Sequence, residues 1–105
     1  RRYTVFTHLL GQRHNPATGG PVWGQHDSEP LNGGYPTHQW FVGEIILDRH
    51  CLQVDPNAPP GVYQIEIGMY ILETMERLAV RDADGRPVGD RILLSKIRVV
   101  AEGEK

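Results

Sequence analysis

The chain has 105 residues, a formal net charge of -2 and one cysteine, which suits a single domain with its own core and excludes an intramolecular disulfide or a cysteine-based zinc cluster. Its scattered basic residues argue against a nucleic-acid surface, and we expect neither a bilayer-spanning segment, which needs ~20 apolar residues, nor a signal peptide. The 12 glycines and 8 prolines indicate many short strands and hardly any helix.

The first half of the chain predicts one central strand and a long loop. Residues 3–10 (YTVFTHLL) are rich in β-branched and aromatic side chains, which favours a strand that Gly11 ends. Turn residues predominate over residues 11–40, where we expect at most one short strand, at residues 22–25. Residues 43–54 then form an extended segment. One of its faces carries Ile46, Asp48, His50, Leu52 and Val54, and the other carries Ile45, Leu47, Arg49, Cys51 and Gln53. The pattern does not decide which face is inward in the first half of the segment, whereas Leu52 and Val54 indicate the first face in the second half.

The second half contains the clearest strand, at residues 61–71 (GVYQIEIGMYI). Its period of two predicts that Tyr63 and the apolar residues in step with it are buried, and that Gln64 and Glu66 face water. Asp84 and Gly85 predict a tight turn between two short strands. Residues 92–100 predict the last strand, before a frayed tail at residues 101–105.

Five or six strands separated by regular turns are typical of an antiparallel sandwich or barrel. We therefore predict an all-β fold with one domain over residues 1–105, of which residues 1–100 form the ordered part. The predicted core consists of Val5, Phe6, Leu9, Leu52, Val54, Tyr63, Ile65, Ile67, Met69, Ile97 and Val99.

Four segments in a fixed order carry a resemblance to a known family: YTVFTHLL, GGYPTHQWFVGEIILD, DPNAPPGVYQIEIGMYILETMERLAV and DADGRPVGDRILLSKIRV. Together they resemble an extracytoplasmic C-terminal β-sandwich module that is found in bacterial and archaeal membrane proteins. Those membrane proteins are similar to dolichyl-phosphate-mannose protein mannosyltransferases, which are glycosyltransferases of the family 39 type. The resemblance implies an immunoglobulin-like antiparallel β-sandwich. It also implies a non-catalytic accessory module outside the cytoplasm, attached to a membrane protein and contacting a glycan or a protein acceptor.

The resemblance also bears on oligomeric state. Similar modules have one or two further strands before the position of Tyr3, so it implies a sandwich that lacks N-terminal strands and exposes a sheet edge. We expect two copies to pair or swap these edges and form a homodimer. This chain contains none of the transmembrane-loop acidic residues that are assigned to glycosyl transfer in the parent proteins, so no catalytic residue carries over.

Aromatic residues in the long loop suggest a carbohydrate-binding surface, because flat rings stack on sugars while polar groups take the hydroxyls. The candidate ligand-binding residues are Trp23, Tyr35, Trp40, His26 and His38. We expect Trp23 and Tyr35 to contact the sugar and Trp40 to plug the core. The alternative is that these aromatic side chains only cap the core, as in a purely structural spacer domain.

Signals for metal binding or catalysis are weak. Asp82, Asp84 and Asp90 resemble a fragment of a calcium loop, but the next ligands are absent and a solvated turn is favoured. Asp48 and His50 share a face and suit either a structural pair or a metal site with a third ligand. His50 and Cys51 are adjacent, but neighbouring side chains of a strand point to opposite faces and cannot hydrogen-bond each other as a nucleophile and its base would. We expect Cys51 to be a buried, inert thiol, because free cysteines are among the most buried residues. No cofactor is expected, and a small metal-dependent or hydrolytic enzyme is the least favoured alternative.

Overall fold

The computed structural model describes residues 2–100, and the predicted tail lies outside them. In this range the chain forms seven strands and two short 3-10 segments, at Pro30–Gly33 and Thr37–Gln39. The first is irregular, because Leu31 and Asn32 have left-handed φ values of 55° and 54°. The strands are β1 (Thr4–Asn15), β2 (Gly20–Ser28), β3 (Gly61–Ile71), β4 (Glu76–Arg77), β5 (Val80–Arg81), β6 (Pro87–Gly89) and β7 (Ile92–Val99).

Five of these strands form one antiparallel sheet in the order β2-β1-β3-β4, with β7 also paired to β3. Strands β5 and β6 form a separate hairpin across the predicted turn at Gly85, whose φ of 80° suits glycine. The predicted all-β antiparallel class is therefore confirmed. The arrangement is consistent with a sandwich-like fold, while the immunoglobulin-like topology stays a prediction.

Two expected strand boundaries are wrong. Strand β1 continues through Gly11 to Asn15, and the short strand expected at residues 22–25 spans Gly20–Ser28 because it pairs with β1 along most of its length. By contrast, the strand expected at residues 61–71 is found with the same bounds.

The core is smaller than predicted. Its buried apolar side chains are Phe6, Leu9, Trp23, Tyr63 and Tyr70. Most other predicted core residues are half-buried. Val54 and Ile97 are 41% and 37% exposed, so their assignment to the core is wrong. Val54 lies in a segment outside the strands, and Ile97 lies on strand β7, which has a sheet neighbour on one side only among the described strands.

The two faces of the sheet differ in chemistry. Antiparallel partners point to the same side, so Phe6, His8, Glu66 and Gly68 share one face, here called the charged face. Val5, Thr7, Ile67 and Met69 share the other, here called the groove face. Glu66 is only 4% exposed, so the prediction that it faces water is wrong. Within residues 2–100 no helix has the length and hydrophobicity that a bilayer crossing requires.

Candidate functional site

The groove face is covered by residues 40–54, here called the strap. Side chains at even positions from Ile46 to Leu52 are half-buried, whereas Ile45 and Leu47 on the outer side are 97% and 71% exposed. The inward face, which the sequence left undecided for the first half of the segment, is thus the one that carries Ile46, Asp48, His50 and Leu52. The Asp55 amide donates to the Trp23 carbonyl at 2.7 Å and fixes the end of the strap beside β2.

Between strap and sheet lies an open groove of about 450 Å³. The sheet contributes Val5, Thr7, Ile65, Ile67, Met69 and Leu94. The strap and the turn before it contribute Pro30, Trp40, Ile46, Asp48, His50 and Leu52. Nine of these twelve residues are apolar, so the groove offers aliphatic walls with a few polar groups.

The polar groups of the groove belong to a hydrogen-bonded chain of three side chains. His50 Nε2 donates to Asp48 Oδ2 at 2.8 Å, and the other oxygen of Asp48 accepts the Leu31 amide at 2.9 Å. The remaining His50 nitrogen, Nδ1, lies 2.7 Å from His26 Nδ1. His26 reaches this position because it lies opposite Thr7 in the β1–β2 ladder, and Thr7 lines the groove.

Ser28 adds a second polar feature on this side of the sheet. It lies opposite Val5, another groove residue, and therefore shares the face of His26. Its Oγ is buried and has no hydrogen-bond partner among the atoms of the described residues. Buried hydroxyls are normally paired, so Ser28 Oγ is an exception, but Ser28 is not among the residues that line the groove.

The structure separates the predicted carbohydrate-binding residues. Trp23 is 6% exposed and its indole donates to the Arg13 carbonyl at 3.0 Å, so the expectation that it is an exposed loop contact is wrong. Strand β2 carries this ring into the cluster with Leu9 and Tyr63. Trp40, expected to plug the core, is half-buried and lines the groove instead.

The remaining three candidates lie at different places. Tyr35 is half-buried and its hydroxyl donates to the Glu44 carboxylate at 2.8 Å, a hydrogen bond that, with some burial, raises the pKa of Tyr35. His38 is exposed on the second 3-10 helix, whereas His26 joins the chain at the groove. Of the predicted set, only Trp40 and His26 are brought to one site.

The aspartates near Gly85 have separate partners. Asp82 Oδ1 accepts the amides of Asp84 and Arg86, both at 2.9 Å, which closes the predicted turn. Asp90 instead lies 3.5 Å from Arg77. Over residues 2–100, no group of three or more His, Cys, Asp or Glu side chains is placed to hold a metal ion.

Cys51 is exposed, so the prediction of a buried thiol is wrong. Cys51 follows His50 on the strap, where side chains alternate between the two faces. His50 points inward and Cys51 points outward, so the two lie on opposite faces as expected. Free cysteines are commonly buried, but no other part of the described chain buries the outer side of the strap at Cys51.

The charged face holds a network that the sequence reasoning missed. Glu66 accepts hydrogen bonds from His8 Nδ1 at 2.9 Å and Arg91 Nη1 at 2.8 Å, and Arg77 lies 4.0 Å away. Nearby, the Tyr70 hydroxyl donates to Asp27 at 2.9 Å. Burial, this hydrogen bond and the charge of Asp27 raise the pKa of Tyr70 to about 12. The polar groups of this network hydrogen-bond to one another, so we assign the network a role in stabilising the sheet.

Comparison with known proteins supplies no relative for this chain. No protein-family model matches it, and no curated protein or solved structure does so either.

Proposed function

We propose that this protein is a non-catalytic binding module that holds a small ligand with an apolar body in the groove. The observation that carries this proposal is the groove itself, about 450 Å³ in volume and lined by nine apolar residues and three polar ones. Ligand pockets are commonly concave and apolar, with a few polar groups that fix orientation. Carbohydrate sites need more hydroxyl-binding groups than Thr7, Asp48 and His50 provide, so the lining favours an apolar ligand over a sugar.

The polar groups of the lining support a binding role without catalysis. Both oxygens of Asp48 accept hydrogen bonds, and both nitrogens of His50 are engaged by Asp48 and His26. A general base needs a free lone pair within reach of the proton that it removes. The two titratable residues of the lining are thus occupied by structural contacts.

The setting of the module rests on the sequence resemblance. We propose an accessory module on the outer face of a membrane, attached to a glycosyltransferase-like protein. The four ordered segments are the support for this setting. A ligand with an apolar body fits such a place, because membranes are a source of amphiphilic molecules.

The proposal is tested by titrating the protein with 1-decanol and, separately, with methyl α-mannoside while recording NMR spectra of its methyl groups. We expect decanol to shift the methyl signals of Ile65, Ile67 and Met69 in a saturable way, with methyl mannoside leaving them unchanged. Absence of saturable decanol binding to the folded protein overturns the proposal and favours a structural spacer. Saturable mannoside binding without decanol binding overturns it in favour of the carbohydrate hypothesis.

Two adjacent isoleucines provide a matched pair of variants. Ile46 points into the groove and Ile45 points away from it. We expect Ile46→Trp to fill the groove and weaken decanol binding by about tenfold, roughly 1.4 kcal/mol, while Ile45→Trp retains the affinity. Ile67→Phe fills the groove from the sheet side and serves if Ile46→Trp does not fold. Equal affinities for the groove-filling variants and Ile45→Trp would place the ligand elsewhere and contradict the proposal.

A further inference from the structure

We infer that one end of the sheet is a membrane-docking surface, which inserts apolar side chains from three loops into the interface of a phospholipid bilayer without net charge. This partner goes beyond the proposed function, which concerns the groove alone. The end, here called the Thr4 end, is where β1 begins and where β2 and β3 finish. Thr4 lies opposite Tyr70 of β3, and Val5 lies opposite Ser28 of β2.

Three loops meet at the Thr4 end. Residues 29–34 follow β2, and residues 72–75 join β3 to β4. The third loop is the turn at residues 41–44, near the start of the strap. It is held at this end because the Tyr3 amide, just before β1, donates to Thr37 Oγ1 at 2.9 Å, and the turn begins a few residues after Thr37.

Each of these loops presents large apolar side chains to solvent. Single exposed apolar residues are ordinary, but a group of them at one place marks an interaction site. The exposed apolar side chains of the three loops are Leu31, Phe41, Val42, Leu72 and Met75. The turns at the opposite end, residues 16–19 and 56–60, consist of proline, alanine, threonine, asparagine and glycine. Among the loops at the two ends of the sheet, large apolar side chains are therefore concentrated at the Thr4 end.

Two of these side chains lie on unfavourable backbone. Leu31 and Met75 have φ values of 55° and 60°, in the left-handed region that glycine and asparagine adopt more easily. The Met75 amide donates to the Ile71 carbonyl at 2.7 Å and closes the hairpin, but an asparagine there would form the same hydrogen bond. Strained positions of this kind are typical of ligand-binding segments. The turn alone therefore does not account for an exposed methionine at this position.

The turn at residues 41–44 is preformed. The Glu44 carboxylate accepts the Phe41 amide at 2.9 Å and the Tyr35 hydroxyl at 2.8 Å. Gly43 has a φ of 87°, and a Cβ placed on it would meet no atom of the described residues within 4 Å. The turn thus projects from the body of the molecule, and Phe41 and Val42 are presented without any rearrangement of the chain.

A bilayer fits this arrangement better than a protein partner does. A standard protein interface takes roughly 20–30 residues from each side, whereas this end offers a few apolar side chains on separate loops. A fluid bilayer closes around separate projections, whereas a protein would need a matching pocket for each one. Interfacial segments bury their apolar side chains roughly 5–10 Å into the headgroup boundary, a depth that the tips of turns can reach.

The groove lies beside the Thr4 end, which is the one point where this inference draws on the proposed function. Pro30 and Trp40 line the groove, and they directly precede Leu31 and Phe41. An amphiphile that leaves the bilayer at this end would therefore meet the groove that is proposed to bind its apolar body.

The charges at the Thr4 end determine which bilayer is expected. On and beside the three loops, the side chains charged at neutral pH are Arg2, Glu29, Glu44, Glu73, Glu76 and Arg77. Carboxylates outnumber cations in this set, and Arg2 is paired with Glu29 at 2.7 Å. Anionic lipid surfaces attract basic segments, so an end with a surplus of carboxylates suits a bilayer without net charge.

Co-sedimentation with phosphatidylcholine vesicles tests the inference. We expect saturable binding that phosphatidylglycerol does not strengthen and that added salt does not weaken, because salt screens charges and not apolar contacts. Replacing the apolar pair by Phe41→Ser together with Val42→Ser should lower the partition coefficient by about tenfold. Val62→Ser is the matched control, since it removes an exposed apolar side chain at the opposite end of β3 and should bind like the unmodified protein.

Met75→Asn separates docking from folding. Asparagine tolerates the φ of 60°, so we expect the melting temperature to stay the same or to rise. Vesicle binding should nevertheless weaken by about threefold, because an apolar side chain is lost from the inserted set. A purely structural role for Met75 predicts the reverse, a lower melting temperature with unchanged vesicle binding, and that result would contradict the inference.

The remaining outcomes also decide the matter. Failure of the folded protein to sediment with phosphatidylcholine vesicles overturns the inference, as does binding that requires phosphatidylglycerol and disappears in salt. If the Phe41 and Val42 substitutions change the mass of the free protein but not its vesicle binding, the Thr4 end is a contact between copies.

The proposed function is tested separately. Neither Phe41 nor Val42 lines the groove, so decanol binding should be retained in their serine variant. Loss of vesicle binding with decanol binding intact overturns the docking surface alone. Vesicle binding without decanol binding overturns the groove alone.

Discussion

Glu66 shows how far a single residue can depart from its sequence pattern. It sits in step with Gln64 on the polar side of the alternation, yet it is buried on the charged face. Two arginines from the later part of the chain, Arg77 and Arg91, reach over it, and the Arg77 guanidinium also lies 4.4 Å from the centre of the Phe6 ring. Cationic side chains therefore cover this face in place of a second layer of apolar residues.

The charge of Glu66 makes its contribution depend on pH. Burial acts to raise the pKa of Glu66, but hydrogen bonds from Arg91 and His8 and the charge of Arg77 outweigh it, so the pKa lies below the usual value of 4.5. A lowered pKa in the folded state gives stability that is present above the unfolded value and is lost as the pH falls through the folded value. Neutral pH therefore favours the network.

We predict that Glu66→Gln lowers the free energy of unfolding by about 2 kcal/mol at pH 7, because the arginine and histidine lose their buried acceptor. Urea denaturation followed by circular dichroism measures the loss. The difference from the unmodified protein should be smaller at a pH well below 4.5, because protonation then removes the charge of Glu66. Glu76→Gln, at an exposed position of β4, is the control and should change stability little. A Glu66→Gln loss that is the same at both pH values would contradict the electrostatic explanation.

At the scale of elements, β1 is organised around a glycine that does not interrupt it. Gly11 lies under two aromatic rings: a Cβ placed there would lie 2.7 Å from Tyr63 Cε2 and 2.8 Å from Trp23 Cδ1. Glycine inside a strand often marks such a close approach. The absence of a side chain at Gly11 leaves room for the rings of Tyr63 and Trp23, and β1 continues past it to Asn15.

We predict that Gly11→Ala destabilises the protein by about 1–3 kcal/mol, because the added methyl group overpacks the cluster of Trp23 and Tyr63. Gly20→Ala is the matched control, since a Cβ there meets no atom within 4 Å and its φ is not positive. Thermal unfolding with tryptophan fluorescence as the probe measures both. Similar melting temperatures for the two variants would show that the rings move aside at little cost.

Many large apolar side chains are exposed across residues 2–100 of the molecule. Outward residues of the strap and several residues of β7, among them Leu93 and Leu94, are exposed. Within the described chain β7 pairs only with β3, so its outer edge is open. Long apolar sheet edges tend to associate, and a net charge of -2 offers little self-repulsion. These features favour a second copy of the chain as the occupant of the β7 edge.

We predict a reversible homodimer through this edge, measured by sedimentation velocity over a range of concentrations. The assay needs a reducing agent, because the exposed Cys51 could otherwise join two copies covalently. We expect Leu93→Lys to shift the equilibrium towards monomer, since it places a charge in the paired edge. Val88→Lys, at an exposed position of the β5–β6 hairpin, should sediment like the unmodified protein. A constant monomer mass at all concentrations would rule out the dimer.

The sequence by itself determined the antiparallel all-β class, the bounds of β3, the turn at Gly85 and the shared face of Asp48 and His50. These features depend on local rules: a strand alternates its side chains with a period of two, and glycine supplies a positive φ in a tight turn. They need no knowledge of what lies across the sheet.

Only the tertiary structure decided which of two alternating faces is covered and by what. It buried Glu66 under arginines, placed Trp23 in the core and Trp40 at the groove, and brought His26 to His50 across 24 positions of sequence. A period of two divides a strand into two sets of residues but does not choose between them. That choice depends on long-range contacts, since burial is favourable only where another part of the chain supplies the apolar wall or the opposite charge.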